Sequence, residues 1–267
     1  MIEKKIFEGN KAELVVSGVD SSFMNSIRRT LLSEIPKLAI DEVIFYENSS
    51  PLTNEILAHR LSMLPIPTEM DLFVPRDQCV CEGAGCPNCT LIYTLSKEGP
   101  CTVYSGDLEA QRSEFSIKNK DIPITELAEG QRLILEAMAT LGTANKHVSY
   151  QAAFAVGYKN YPVISIDYSK CDLGKTCIDA CPPSIIKKEG NRIVIEDIEK
   201  CTLCKECENR CEFGAIRVTY DPEKFIFRFE TDGALEPEEV LKKAVEILDK
   251  KLESFSAQML AVEEEKQ

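Results

Sequence analysis

The 267-residue sequence predicts an α+β protein assembled from several segments of different character. Three observations support this class. The first twenty residues alternate polar and apolar side chains around Ile6 and Leu14, which indicates a pair of strands. Residues 91–165 contain short strand-like runs interrupted by Gly and Pro, and the stretch after Gly233 repeats its apolar residues at helical spacing.

A first helix is predicted directly after the N-terminal strands. Ser21 or Ser22 can cap its start, and Pro36 ends it. One apolar face is formed by residues that recur every four positions, namely Phe23, Ile27, Leu31 and Ile35. This face is typical of ordinary core packing, whereas the neighbouring Arg28 and Arg29 leave on another face and suggest a partner surface.

A second short helix is predicted over residues 54–64, and a cysteine-rich loop follows it. In the segment CVCEGAGCPNC, a C-x-C pair and a C-x2-C pair are formed by Cys79, Cys81, Cys86 and Cys89. Four thiolates around flexible glycines can enclose Zn²⁺ in a closed, structural tetrahedron. The alternative is a loop of free thiols or disulfides. Cys101 lies outside this group and is expected to be a plain buried thiol.

A second cysteine-rich region has the spacing C-x2-C-x2-C-x3-C, formed by Cys201, Cys204, Cys207 and Cys211. Bacterial ferredoxins use this spacing to hold a cubane iron–sulfur cluster. Subtracting thirty from each number gives Cys171, Gly174, Cys177 and Cys181, so an imperfect copy of the motif precedes it. The alternative is a metal-free or disulfide-linked relic of the same fold.

In two-cluster ferredoxins the fourth cysteine of each run ligates the other cluster. This rule predicts a complete [4Fe-4S] site from Cys201, Cys204, Cys207 and Cys181. The second site would use Cys171, Cys177 and Cys211 and lacks a thiolate at Gly174. A fourth iron there would need water or another residue such as Asp172. The prediction is therefore [3Fe-4S], a labile [4Fe-4S] cluster or an empty site.

The C-terminal segment predicts an alternating strand over residues 225–229 and a long helix that begins near Pro237. Along this helix, apolar residues step by four and three positions as in a heptad seam: Leu241, Val245, Leu248, Leu252, Phe255 and Met259. Such a seam packs on another helix, either of the same chain or of a partner. We expect the final EEEKQ to be solvated.

The composition restricts the function classes. The formal net charge is −13, which makes the chain a poor candidate for gripping a nucleic-acid backbone by itself. Its twelve cysteines cluster at ligand spacings, which favours metal binding in a reducing cytosol. The sequence contains neither an apolar signal core at its start nor a run long enough for a membrane helix. We therefore expect a cytoplasmic protein without a membrane partner.

The flanks of the cysteine motifs resemble a known family. The segments FMNSIRRTLLSEIP, ENSSPLTNEILAHRLSMLPI and FETDGALEPEEVLKKAVEILDKKLESF occur in the order typical of RNA polymerase assembly subunits. This family includes the bacterial alpha subunit, the third-largest subunit of eukaryotic polymerase II and their archaeal counterpart. Many archaeal members carry a ferredoxin-like insertion. The resemblance covers nearly the whole chain.

The resemblance implies three domains. A discontinuous dimerisation domain would comprise residues 1–40, 153–168 and 219–267, a mostly-β insertion residues 41–152, and a ferredoxin-like domain residues 169–218. The helices that carry Ile27 and Leu31, and Leu248 and Leu252, would pack against subunit L. The heterodimer would then nucleate assembly of the large catalytic subunits, so that DNA is contacted only through the complex. The eukaryotic relative holds zinc in a similar loop, although the middle spacer is one residue longer here.

No catalytic constellation is present in the sequence. Polymerase chemistry needs clustered aspartates for two Mg²⁺ ions, and the chain has no D-x-D-x-D-like run, P-loop or dinucleotide fingerprint. We therefore predict a non-catalytic subunit of an enzyme, with clusters that are structural and sensitive to redox or iron state. The alternative is a ferredoxin-type electron-transfer subunit of an oxidoreductase, which would be distinguished by recovery of a flavoprotein partner.

Overall fold

The computed structural model describes residues 2–264 and contains twelve strands and five α-helices within that range. The strands are β1 (Ile2–Glu8), β2 (Lys11–Ser17), β3 (Lys37–Asn48), β4 (Thr90–Glu98), β5 (Cys101–Tyr104), β6 (Glu109–Ala110), β7 (Pro123–Leu127), β8 (Arg132–Gly142), β9 (Ala153–Ile166), β10 (Ile186–Glu189), β11 (Arg192–Ile195) and β12 (Ile216–Thr231). The helices are α1 (Ser21–Ser33), α2 (Asn54–Ser62), α3 (Thr176–Asp179), α4 (Glu206–Asn209) and α5 (Pro237–Glu264). The mixed α/β content predicted from the sequence is confirmed.

The chain forms two compact units. The first comprises Glu13–Asn25 and Gly157–Arg228, together with the residues of β1 that precede Phe7. Its main sheet has the strand order β1-β2-β12-β9, and β10 and β11 form a separate antiparallel hairpin. This unit contains both repeats of the C-terminal cysteine motif. The division into three domains implied by the resemblance stays a prediction.

The second unit comprises Phe7–Ala12, Ser26–Val156 and the residues from Phe229 onward. Its main sheet has the order β3-β8-β4-β6, and β5 pairs with β7. Strands β3 and β8 pair antiparallel, with bulges after Ile40 and Phe45. Alternating residues of β8 are buried, as expected for a sheet with one face on a core. That core also holds the buried leucines of α2, and the candidate zinc loop leads directly into β4.

The helix ends show how closely local sequence signals match the structure. Helix α1 begins at Ser21, but Asp20 caps it, because the Phe23 backbone N–H donates to the Asp20 carboxylate at 2.8 Å. The predicted cap, Ser21 or Ser22, was therefore wrong by one or two residues. Helix α5 starts at Pro237, where the missing N–H costs no helical hydrogen bond. It includes the first two residues of EEEKQ, and the last three lie outside the described residues.

A buried ion pair lies in the second unit. The Lys37 side chain is only 3% exposed, and its ammonium pairs with the Asp232 carboxylate. The same ammonium donates to the Gln151 carbonyl oxygen at 3.1 Å. Both contacts are needed, because a buried charge without partners is strongly destabilising. Over residues 2–264, no helix is both long and apolar enough to cross a membrane.

Candidate metal centres and partner surface

The four cysteines of the candidate zinc loop lie together in the structure. Their sulfur atoms are all within 4.8 Å of one another. The Sγ–Sγ distances are 3.5 Å for Cys79 and Cys86, 3.6 Å for Cys81 and Cys89, and 3.9 Å for Cys86 and Cys89. A tetrahedral zinc site with Zn–S bonds of about 2.3 Å has sulfur–sulfur edges of about 3.8 Å. The four sulfur atoms are therefore placed as four thiolate ligands around one metal ion would be.

Local backbone geometry explains why these thiols converge. Gly83 and Gly85 adopt φ values of 84° and 87°, in the left-handed region that favours glycine. Arg76 braces the loop, since its Nε donates to the Gly83 carbonyl oxygen at 2.8 Å. The Cys86 backbone N–H also donates to the Cys89 sulfur at 3.3 Å, which fixes the position of this sulfur. The predicted role of the glycines agrees with this geometry, but the brace from Arg76 was not predicted.

The thiols of Cys79 and Cys81 have pKa values shifted in opposite directions. A backbone N–H from Cys81 lowers the pKa of Cys79, but burial and the neighbouring thiols outweigh it and raise this pKa to about 12. Burial raises the pKa of Cys81, yet hydrogen bonds from the other thiols and from the Gly85 backbone lower it to about 6. Cys81 therefore loses its proton more readily than Cys79, and a cation bound in the loop would displace the proton of Cys79.

The imperfect repeat in the C-terminal cysteine region is reproduced in the structure with the same offset of thirty residues. Helix α3 starts at Thr176 and α4 at Glu206. Leu173 and Leu203 both have left-handed backbones, with φ values of 57° and 59°. The backbone N–H of Ser184 donates to the Cys181 carbonyl oxygen at 2.9 Å, and the corresponding pair, Gly214 and Cys211, is at 3.1 Å. The two halves thus share one local fold.

Two cavities in this region separate the cysteines into the two predicted ligand sets. One cavity is lined by Cys181, Cys201, Cys204 and Cys207. The other is lined by Cys171, Cys177 and Cys211, together with Asp172 and Gly174. The second has about 70 Å³ of free volume against about 10 Å³ for the first.

Electrostatic contacts between the thiols follow the same grouping. Burial raises the pKa of Cys207 to about 11, and the thiols of Cys181, Cys201 and Cys204 contribute to the increase. Burial also raises the pKa of Cys177, with further contributions from Cys211 and Cys171. Each set is thus close enough for its negative charges to repel one another, and bound iron would relieve this repulsion.

Lys159, which the sequence did not indicate as part of a site, holds the loop that leads into Cys201, a member of the four-cysteine group of Cys181, Cys201, Cys204 and Cys207. The Lys159 ammonium donates to the carbonyl oxygens of Glu199 at 2.7 Å and Cys201 at 2.6 Å. Burial lowers the pKa of Lys159. Because Lys159 lies in β9, it connects the loop to the main sheet of the first unit. No residue spacing indicated this contact, since a lysine can reach backbone carbonyls from any neighbouring element.

The predicted seam of α5 is largely accessible. Leu252 is 67% exposed, Phe255 63% and Val245 49%. Leu241 and Leu248 are half-buried. A different stripe of the helix faces the core of its own unit, because Val240 and Ala244 are completely buried. An exposed apolar stripe on a long helix is typical of a surface that a partner covers.

The candidate partner residues of α1 divide into buried and exposed groups. Ile27 is 5% exposed and Leu31 is fully buried, so both belong to the core of the chain itself. Arg28 is half-buried, and its Nε donates to the Val156 carbonyl oxygen at 3.2 Å. Phe23, at 47% exposure, and Arg29 remain accessible. The composition of the partner surface on α1 stays a prediction.

Comparison with known proteins identifies the class to which this fold belongs. The family described as the RNA polymerase Rpb3/Rpb11 dimerisation domain matches residues 13–252. The chain therefore belongs to this family, which confirms the resemblance inferred from the flanking segments.

Archaeal relatives cover almost the whole chain. A protein from Methanosarcina acetivorans is 41% identical over 249 residues, which are 92% of this chain and 93% of the relative. A protein from Archaeoglobus fulgidus is 39% identical over 256 residues, covering 96% of this chain and 95% of the relative. Both relatives bear the name DNA-directed RNA polymerase subunit Rpo3.

Proposed function

We propose that this chain is a non-catalytic assembly subunit of an archaeal DNA-directed RNA polymerase. The observation that carries the proposal is the family match over residues 13–252, which includes helix α1 and most of α5. The names of the relatives support the same assignment. The chain takes part in nucleotidyl transfer only through the complex, since its sequence has no aspartate cluster for catalytic Mg²⁺.

The proposed partner of α5 is polymerase subunit L. Members of a dimerisation-domain family bury helix faces against one another, and α5 presents Val245, Leu252 and Phe255 to solvent. The resulting heterodimer would act as the platform for the large subunits. DNA contact would be indirect, in keeping with the net charge of −13.

The C-terminal cysteine region is proposed to bind two iron–sulfur clusters. Cys181, Cys201, Cys204 and Cys207 would hold a [4Fe-4S] cluster. The second site, which contains only three cysteines, would hold a [3Fe-4S] or [4Fe-4S] cluster. The lining of the two cavities supports this division, because each predicted ligand set lies around one cavity. When bound, such a cluster links the two halves of the repeat through thiolates that come from both.

The proposed role of these clusters is structural, with sensitivity to oxygen or iron supply. A cluster that binds only the folded module adds its binding free energy to folding. Cys204 is exposed, so one edge of the complete site is accessible to oxidants. Zinc is proposed as the ion of the separate loop that contains Cys79 and Cys89, since the sulfur distances match a tetrahedral site.

The experiment compares assembly by the wild-type chain, Cys204→Ser and the matched control Cys101→Ser. Cys101 lies outside all three cysteine groups. Anaerobically prepared chains are mixed first with subunit L and then with the large subunits, and iron, sulfide and each complex are quantified. We expect Cys204→Ser to lose iron and to recruit the large subunits poorly. Normal assembly without a cluster would contradict the structural role, and failure of the wild-type chain to bind subunit L would contradict the proposed function.

A further inference from the structure

The second cluster site lacks one thiolate but has a carboxylate beside the position where that thiolate is missing. Its cavity is lined by Cys171, Cys177 and Cys211, together with Asp172 and Gly174. We propose that the carboxylate of Asp172 is the fourth protein ligand of this site, which then holds a [4Fe-4S] cluster with three thiolates and one carboxylate. This inference rests on the proposed iron–sulfur function of the region.

The position of the carboxylate carries the argument. The offset of thirty residues makes Gly174 the counterpart of Cys204. A Cβ atom built on Gly174 would lie 2.8 Å from Asp172 Oδ2 and 3.1 Å from Oδ1. The carboxylate therefore occupies the space that a cysteine side chain at position 174 would enter. The Asp172 carboxylate and the missing cysteine thiolate are both anionic metal ligands, so one can replace the other.

The loop holds this carboxylate in place. The Gly174 backbone N–H donates to Asp172 Oδ1 at 3.0 Å, which leaves Oδ2 for a metal ligand bond. Between the two residues, Leu173 has a left-handed backbone, and its carbonyl oxygen accepts a hydrogen bond from the Lys188 ammonium at 3.0 Å. The same left-handed turn occurs at Leu203, where the loop presents Cys204 instead.

Each half of the repeat offers one anionic ligand in this turn, but at a different position. The complete half has Thr202 at the position equivalent to Asp172, and its thiolate comes from Cys204. The incomplete half has the carboxylate where the thiolate is lost. Glu212 also lines the second cavity, but the three atoms nearest to the Gly174 Cβ position all belong to the Asp172 side chain. The geometry therefore favours Asp172 over Glu212.

The chemistry of the step is a ligand exchange. An oxygen atom of Asp172 would bind the fourth iron in place of a water or hydroxide ligand, which would leave. No electron is transferred, and the oxidation state of the cluster does not change. Carboxylates are harder donors than thiolates and suit iron–sulfur clusters less well, so this iron should be the most readily lost of the cluster.

The decisive variant is Asp172→Asn in the full-length chain, reconstituted anaerobically with iron and sulfide. Asparagine keeps the oxygen that accepts from the Gly174 N–H, so the loop should fold, but it removes the anionic ligand. The wild-type chain should hold about eight irons, four in each cubane, with no exchangeable water on any of them. The variant should hold about seven irons with the paramagnetic signal of an oxidised [3Fe-4S] cluster, or keep a fourth iron that now carries exchangeable water. Iron analysis, electron paramagnetic resonance and double-resonance spectra recorded in H₂O and D₂O measure these outcomes.

Two controls and one rescue test the assignment. Thr202→Ala alters the equivalent position in the complete half, and Glu212→Gln removes the other carboxylate that lines the cavity. Both should retain the wild-type iron content and spectra. Asp172→Ala combined with Gly174→Cys should restore a fully thiolate-ligated cluster. Iron loss in Glu212→Gln, with Asp172→Asn unchanged, would overturn the inference.

The wild-type chain separates failure of this inference from failure of the proposed function. Two cubanes with exchangeable water on one iron would refute Asp172 as a ligand and leave the two-cluster proposal intact. A single four-iron cluster would refute the second site alone. Complete absence of iron after reconstitution would refute both.

Discussion

The exposed seam of α5 gives the most direct test of partner binding. Leu252 is 67% exposed and Phe255 63% exposed in the free chain. Complete burial of such a side chain stabilises by about 1.5–3 kcal/mol, so covering the exposed two thirds should contribute about 1–2 kcal/mol for each residue. Replacing both residues by alanine should therefore weaken binding of subunit L by about 2–4 kcal/mol, or roughly 30- to 1000-fold in Kd.

The stability of the free chain should hardly change in the same variant. Both side chains already contact mainly solvent, and substitutions at such positions are usually within about 0.5 kcal/mol. The assay measures Kd by calorimetric titration with subunit L and measures thermal unfolding of each chain alone. The control combines Lys242→Ala and Lys250→Ala, which are exposed positions of the same helix outside the seam. An unchanged Kd for the double variant would refute the reasoning, and so would an equal loss of affinity in the lysine control.

Three further predictions concern stability and metal binding. Cys89→Ser should lower the zinc content of the chain, measured by atomic emission, from about one ion to nearly none, because a closed structural site needs all four ligands. Asp232→Asn should destabilise the chain by about 3–5 kcal/mol in urea unfolding, since it leaves the Lys37 ammonium buried without its counter-charge. Exposed ion pairs contribute at most about 1 kcal/mol, so a destabilisation below that value would contradict this prediction. Burial raises the pKa of Asp107, but hydrogen bonds from Lys97 and a backbone N–H outweigh it and lower the pKa overall. Its contribution should therefore be present at pH 7 and be lost as pH falls below about 4, the unfolded value, so wild type and Asp107→Asn should converge in unfolding free energy at low pH. If the difference in unfolding free energy between wild type and Asp107→Asn persists or grows at low pH, the predicted direction of the pH dependence is wrong.

The three longer helices, α1, α2 and α5, were predictable in place, but the buried face of α5 was not. The periodicity of α5 indicated Leu241, Val245 and Leu248 as a packing face. The structure buries the stripe of Val240 and Ala244 against its own unit and leaves most of the predicted seam exposed. The two stripes are offset by one residue, and both have helical spacing. Periodicity alone cannot decide which stripe is covered by the same chain, because that depends on tertiary contacts remote in sequence.

The cysteine groups were predictable because metal sites place donors of a rare residue type at fixed spacings. The residues that secure these loops were not. Arg76 and Lys159 both act by donating to backbone carbonyl oxygens, which every residue offers. Lys159 and its acceptor Cys201 are also more than forty residues apart. Such contacts leave no local pattern in the sequence, so only the folded chain reveals them.

The division into two units determines what loss of the clusters should affect. Both proposed cluster sites lie in the unit that contains Gly157–Arg228, whereas α5 belongs to the other unit. The binding free energy of a cluster would stabilise the unit that forms its site. Lys159 joins the loop around Cys201 to the main sheet of that unit. The α5 seam has its own support in the buried Val240 and Ala244. We therefore expect Cys204→Ser to retain binding of subunit L while recruitment of the large subunits falls. Parallel loss of both would show that the clusters support the whole chain rather than one unit.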